Sequence, residues 1–238
     1  MSFRSALNQH FPNAMPESEF VRRTYQALLR HGFSEPNTIA CVGVCRDELT
    51  RPLVDEIQHT WGEAFNFAGL AGMLFLGKTG FSAAQHHAPR MDGRERYVFF
   101  ALPHVAIDSA GGIGLCTREG RQEPSHACGA LIAFQQELAG GRLSLAFDPD
   151  DVEQSLLKQR LFPKIEGSKA SDLVALTKLA HEVIVEDLER MIDLTVDPAH
   201  SDYAALTGIQ VHGPGKTNYI WPGTLRTVVS GQRHDLVI

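Results

Sequence analysis

Thr38-Ile39-Ala40-Cys41-Val42-Gly43-Val44-Cys45-Arg46-Asp47-Glu48 is the stretch on which the fold turns. From Thr38 to Val44 it is short, apolar and rich in β-branched residues, which is the pattern of a buried strand. The abrupt change to Arg46, Asp47 and Glu48 ends that strand near Cys45. Downstream, Leu53, Ile57 and Trp61 recur four apart, so Leu49 to Trp61 reads as a helix with one apolar face. Upstream, Pro16-Glu17-Ser18-Glu19 opens a segment in which Phe20, Tyr25, Leu28 and Leu29 recur near helical spacing, and His31-Gly32 closes it. Helix, strand, helix is the order of an α/β fold, with a mostly parallel central sheet flanked by helices.

The rest of the chain extends that pattern. Arg96 to Leu102 is the strongest strand candidate, with Pro103-His104 at its carboxyl end. Between the two strands, Asn66 to Pro89 is punctuated by Gly69, Gly72, Gly77 and Gly80 and reads as loop, ending in His86-His87-Ala88-Pro89. A second glycine-rich turn follows at Gly111-Gly112-Ile113-Gly114. Ala130 to Ala139 reads as helix, Asp148-Pro149-Asp150-Asp151 as a capping region for another, and Asp172 to Leu194 as a long helix with an apolar stripe. Gly208 to His212 and Asn218 to Trp221 read as two short strands at an antiparallel edge.

The 238 residues are 43% hydrophobic and 21% charged, a globular composition, with no linker-like stretch. One domain spanning residues 1–238 is expected, with a helical N-terminal segment over about the first 35 residues. A net charge of −6 and no block of Lys or Arg argue against nucleic acid as a partner. Met1 to Met15 lacks the apolar core of a secretory signal, and no window approaches the roughly 18 to 20 apolar residues of a membrane span. A soluble, cytoplasmic protein without membrane contact is the expectation. Four cysteines are too few for a disulfide scaffold at this length, so thiols or metal ligands are the better readings.

In open α/β sheets the ligand site lies beyond the carboxyl ends of the strands, where Cys45 and His104 fall. Cys128, in Ser125-His126-Ala127-Cys128-Gly129, directly precedes a helix, whose N-terminus favours a thiolate. Two thiolates and one imidazole form a catalytic zinc set with an open fourth position. Cys41 and Cys116 read instead as small packed hydrophobes. His126 competes with His104, and local sequence does not choose between them. His86 and His87 read as loop residues.

Several windows resemble, in order, the limiting-CO2-inducible protein B/C family of algae and their bacterial relatives. That family is similar in fold and site to β-class carbonic anhydrases and has been called θ-class. The windows are Cys45-Arg46-Asp47-Glu48, the glycine-rich stretch from Gly69 through Gly80 to Pro89, Leu102-Pro103-His104-Val105-Ala106-Ile107, Ser125 to Ala130, and Leu206 to Gln210. The resemblance implies a β-carbonic-anhydrase-like fold and Zn2+ held by Cys45, His104 and Cys128. It also implies an aspartate and an arginine beside the metal, CO2 and bicarbonate as small-molecule partners, and a homodimer.

By position, Asp47 and Arg46 take the aspartate and arginine roles. The β-class pattern Cys-x-Asp-x-Arg is kept at Cys45 and Asp47 but has Leu49 where its arginine belongs, so Arg51 or Arg118 is an alternative source of the guanidinium. His126 precedes Cys128 by two, which does not match the β-class His-x-x-Cys pair and favours His104. The implied activity is reversible hydration of CO2 by zinc-bound hydroxide, with Asp47 either accepting a hydrogen bond from it or ligating the metal in a resting form. The rival is a catalytically silent zinc-binding member that acts through assembly with a partner. A nucleobase deaminase would need His-x-Glu followed by Pro-Cys-x-x-Cys, and neither occurs. A cysteine hydrolase built on Cys128 and His104 would leave Cys45 without a role.

Overall fold

The computed structural model describes residues 1–165 and 172–238. Its elements run α1 (Phe3–His10), β1 (Met15–Pro16), α2 (Glu17–Leu29), β2 (Ile39–Gly43), α3 (Arg51–Trp61), β3 (Ala64–Asn66), α4 (Gly77–Gln85), β4 (Arg90–Met91), β5 (Arg94–Ala101) and β6 (His104–Ala106). They continue with β7 (Leu115–Cys116), β8 (Ser125–His126), α5 (Gly129–Ala139), α6 (Val152–Leu161), α7 (Leu173–Thr195), β9 (Ser201–His212), β10 (Asn218–Val229) and β11 (Gln232–Asp235).

The main sheet has the order β1-β10-β9-β5-β2-β3, with β11 on β10, β4 on β5 and β6 on β9. β3, β2, β5 and β9 are mutually parallel. β10, β1 and β11 add an antiparallel flank. The strand reading of Thr38–Val44 and Arg96–Leu102 matches β2 and β5 to within a residue or two.

Alternation along these strands creates two cores, because successive side chains point to opposite faces. Ile39 and Cys41 of β2, with Tyr97, Phe99 and Ala101 of β5, face a layer built from α1, α4, α5, α6 and α7. Ala40, Val42 and Val44, with Val98, Phe100 and Leu102, face α2 and α3, where Phe20, Leu28, Leu53, Ile57 and Trp61 close the second core. Leu29, which shares the helical spacing, points out and is exposed.

Three elements differ from the sequence reading. Residues 77–85, read as loop, form α4: Phe81 and Ala84 are buried on one face, and that burial outweighs the poor helix propensity of Gly77 and Gly80. The two short C-terminal strands are each twelve residues long. They pair antiparallel, but β9 lies inside the sheet rather than at its edge, parallel to β5. Buried Asp202 and Gln210 interrupt its apolar pattern, and both are paired: Asp202 with Arg94, Gln210 with Glu17.

One loop is fixed by close backbone approach. Gly72 has φ +77°, and a Cβ there would stand 2.4 Å from the carbonyl oxygen of Leu102. The short 3-10 turn Leu70–Gly72 is thereby seated against the carboxyl end of β5. Gly72→Ala is expected to cost about 2–4 kcal/mol, from left-handed backbone strain plus overpacking. Urea unfolding checks it, and an unchanged midpoint would contradict this packing.

Candidate metal centre

The parallel register brings the candidate ligands together. Gly43 pairs with Ala101 and Ala101 with Thr207. Beyond these pairs the strands of the first two diverge only slightly, since Leu102 N–H still donates to the Gly43 carbonyl at 2.9 Å. Cys45 keeps the parity of Ile39 and Cys41 and packs in the same core as Cys128. Pro103 interrupts the strand, and β6 resumes on β9 with His104 opposite Gln210. Cys128 is the N-cap of α5.

Cys45, His104 and Cys128 are 5%, 0% and 1% exposed, and one ligand atom from each lies within 4.8 Å of the others. The two sulfurs are 3.8 Å apart. Thiolates about 2.3 Å from a tetrahedral zinc stand about 3.8 Å from one another, so the spacing fits that ion. His104 Nδ1 is 2.9 Å from His212 Nε2, whereas His104 Nε2 is buried with no hydrogen-bond partner among the described residues. A buried imidazole nitrogen with no protein partner, beside two sulfurs, fits the role of a metal-binding atom.

The electrostatics favour a thiolate. The hydrogen bond shared by the Cys45 and Cys128 sulfurs holds the Cys45 pKa down against the opposing effect of burial, with help from His104 and the Asp47 amide. Cys128 is pushed up, first by its hydrogen bond with Cys45, then by burial and by the Cys45 charge, while the Ala130 and Leu131 amides at the start of α5 act to lower it. Cys41, buried in the apolar core, is pushed up by desolvation alone and behaves as packing. Cys116 is half-buried, its sulfur close to Ser125. His126, His86 and His87 are exposed and stand outside the cluster.

Asp47 lies two residues beyond Cys45, and the guanidinium that holds it belongs to Arg118. Arg118 Nη1 and Nη2 donate to the two Asp47 oxygens at 3.1 and 2.8 Å, and the Leu49 amide adds a third bond at 3.0 Å. Burial pushes the Asp47 pKa up, but these donors and the nearby positive groups outweigh it, so the carboxyl sits below its ordinary range. Arg118 is itself braced by Ser125 Oγ at 2.7 Å and by the His126 carbonyl at 3.1 Å, and it also pairs with Glu48.

Arg46, expected beside Asp47, turns away. It forms a bidentate pair with Glu153, whose Oε2 also accepts the Leu70 amide at 2.9 Å. Arg46 thus ties the end of β2 to α6 and to the Leu70–Gly72 turn. Arg51 pairs with Asp55 at 2.7 Å. A cavity of about 450 Å³ is lined by Cys45, Arg46, Asp47, Phe65 and Asn66. Another, of about 430 Å³, is lined by Arg118, Cys116, His212 and Asn218.

Sequence reasoning did not find His212, Asn218, Gln210 and Glu17, which form a polar cluster behind His104. His212 Nδ1 is 2.9 Å from Asn218 Oδ1, and Glu17 accepts from Asn218 at 3.1 Å and from Gln210 at 3.0 Å. Burial, then the proximity of His104, lowers the His212 pKa to about 3. Burial also raises that of Glu17, against the effect of its two amide donors. A signal was present: Gln210 and His212 are polar at period two beside apolar Ile209 and Val211, so they share one face.

An α/β sheet with a Cys-His-Cys cluster able to hold a metal at its strand ends, and an arginine-clamped aspartate beside it, is an arrangement of the β-carbonic-anhydrase type. The family model for limiting CO2-inducible proteins B/C β-carbonic anhydrases matches residues 14–229, and the chain belongs to that family. Among solved structures it is similar to the limiting CO2-inducible protein LCIB, at 38% identity over 98% of both chains with a TM-score of 0.81. It is also similar to PtLCIB4, a homologue of LCIB, at 27% identity over 99% of this chain and 100% of that one, with a TM-score of 0.87. No curated protein matches by sequence. Among the described residues no helix is long and apolar enough to cross a membrane.

Cys45→Ala, His104→Ala and Cys128→Ala are expected to lose bound zinc, while Cys41→Ala and His126→Ala retain it. Elemental analysis of the dialysed proteins checks this. Full zinc in Cys45→Ala would refute the ligand set.

Proposed function

We propose that this chain is a zinc-dependent carbonic anhydrase interconverting CO2 and bicarbonate. The observation that carries the reading is the buried Cys45-His104-Cys128 cluster with an Arg118-clamped Asp47 beside it, in a chain of this family. Cys45, His104 and Cys128 would hold the zinc, which supplies a Lewis acid able to make water a nucleophile near neutral pH.

The chain's own groups supply orientation. Ionised Asp47 is acceptor-only, so it can take a hydrogen bond from the attacking water and leave the water's lone pair directed at carbon dioxide. Arg118 fixes the carboxylate plane through two parallel N–H bonds and keeps it charged. With both oxygens engaged by Arg118, Asp47 is better suited to this outer role than to ligating the metal. Arg46 acts on the architecture around the site rather than on the aspartate. The partly buried Asp47 lines a cavity large enough for a small substrate.

The reading also takes a second copy of the chain as partner. Exposed Leu145, Phe147 and Val152, clustered before and at the start of α6, support an apolar contact, and sedimentation equilibrium is expected to give a dimer.

Stopped-flow CO2 hydration on zinc-loaded protein tests the activity. Asp47→Asn is expected to lower kcat/KM by about 100-fold or more, the scale of a lost general base. Arg118→Ala should follow it at about 10- to 100-fold through misplacement of the carboxylate. Arg46→Ala should leave kcat/KM within about threefold, because it does not touch Asp47. Absence of turnover at every pH would leave the chain as a zinc-holding, catalytically silent member acting through a partner.

A further inference from the structure

The polar cluster behind His104 has a direction, and the direction can be read from its far end. Glu17, in the first turn of α2, accepts the Asn218 amide nitrogen at 3.1 Å and the Gln210 amide nitrogen at 3.0 Å. With its nitrogen turned to Glu17, Asn218 presents its oxygen to His212 Nδ1 at 2.9 Å. An amide oxygen only accepts, so the proton of that bond sits on His212 Nδ1. The His212 ring is 3% exposed, and among the described residues its two nitrogens meet only Asn218 and His104, so the buried neutral ring with its proton on Nδ1 has a bare Nε2. The atom 2.9 Å from that bare nitrogen, His104 Nδ1, must then be a donor. A neutral His104 protonated at Nδ1 has its lone pair on Nε2, the one atom of the ring with no partner among the described residues.

We propose that His212 is a positioning residue: the chain His104, His212, Asn218, Glu17 runs one way and fixes the His104 tautomer and ring orientation that metal holding requires. This rests on Cys45, His104 and Cys128 being a metal site, and deepens it. Were His104 free to protonate at Nε2, an N–H would point at the thiols and the third donor would be lost. Hydrogen bonding to the remote nitrogen of a ligating histidine is the general means of fixing its tautomer and raising its basicity. The unusual step here is a second histidine as acceptor in place of a carboxylate, with the carboxyl group moved two bonds further out. That arrangement keeps charge away from the two sulfurs while retaining the polarity of the chain.

The test measures zinc dissociation constants by chelator competition, with apoprotein melting temperature followed in parallel. Wild-type protein should bind tightly. His212→Leu should weaken zinc about 10- to 100-fold, the usual effect of losing such a partner. His212→Gln, whose amide oxygen can reach the place of Nε2, should recover most of it. A folded His212→Leu that binds zinc like wild type overturns the proposal, as does a His212→Gln no better than His212→Leu. Wild-type protein that fails to bind zinc would instead remove the metal reading itself. Should the variants not fold, long-range proton–nitrogen spectra of the zinc-loaded wild type decide. Protons on Nδ1 of both His104 and His212 support the chain, and a proton on His212 Nε2 overturns it.

Discussion

The parallel backbone ladder joining β2, β5 and β9 governs everything that follows in this molecule. A slip of one residue would turn every side chain to the other face of the sheet. Cys45 would then face α2 and α3 while Cys128 stayed with the layer of α5, and the 3.8 Å contact between their sulfurs could not exist. The register is held by large apolar side chains on both faces, Tyr97 and Phe99 on one and Val98 and Phe100 on the other. Backbone bonds extend it past the strand ends, from Leu102 to Gly43 and from Gln210 to Pro103, each at 2.9 Å. Candidate metal ligands placed this way need no loop flexibility to meet.

Around that frame, charge is arranged in layers of decreasing burial. The sulfurs and His104 are enclosed in the core. Asp47 is next, half-buried, its ionised form secured by Arg118. Arg46 and Glu153 lie outermost and serve to pin the Leu70–Gly72 turn and α6 against the site. Removing either partner of the inner pair strands a charge at low solvent exposure, whereas the outer pair is screened by water. The two arginines, so similar in the sequence, thus do physically different things.

How much of this could be seen in the sequence depended on whether the determinant was local. The strand ending at Cys45, α3 with Leu53, Ile57 and Trp61, and the thiol before α5 are local patterns and were legible. Arg118 was not selected ahead of Arg46, because it reaches Asp47 from 71 positions away through a segment without periodicity. α4 was hidden by Gly77 and Gly80, whose cost is met by tertiary burial of Phe81. β9 was cut short because Ser201, Asp202 and Thr207 are polar yet buried, satisfied by partners no hydropathy pattern contains. The choice between His104 and His126 rests on burial: the one lies in the sheet interior and the other is exposed.

The position of β9 inside the sheet has a consequence for how the protein is made. A growing chain displays Cys45, His104 and Cys128 well before Ser201–His212 is available to cover the apolar edge of β5. Until then β5 is an unpaired hydrophobic edge, open to pairing with other nascent chains. The thiols stand exposed during the same interval, and oxidant would reach them more readily than in the finished fold. Such a topology therefore exposes the chain to mispairing and oxidation during synthesis, before β9 closes the sheet.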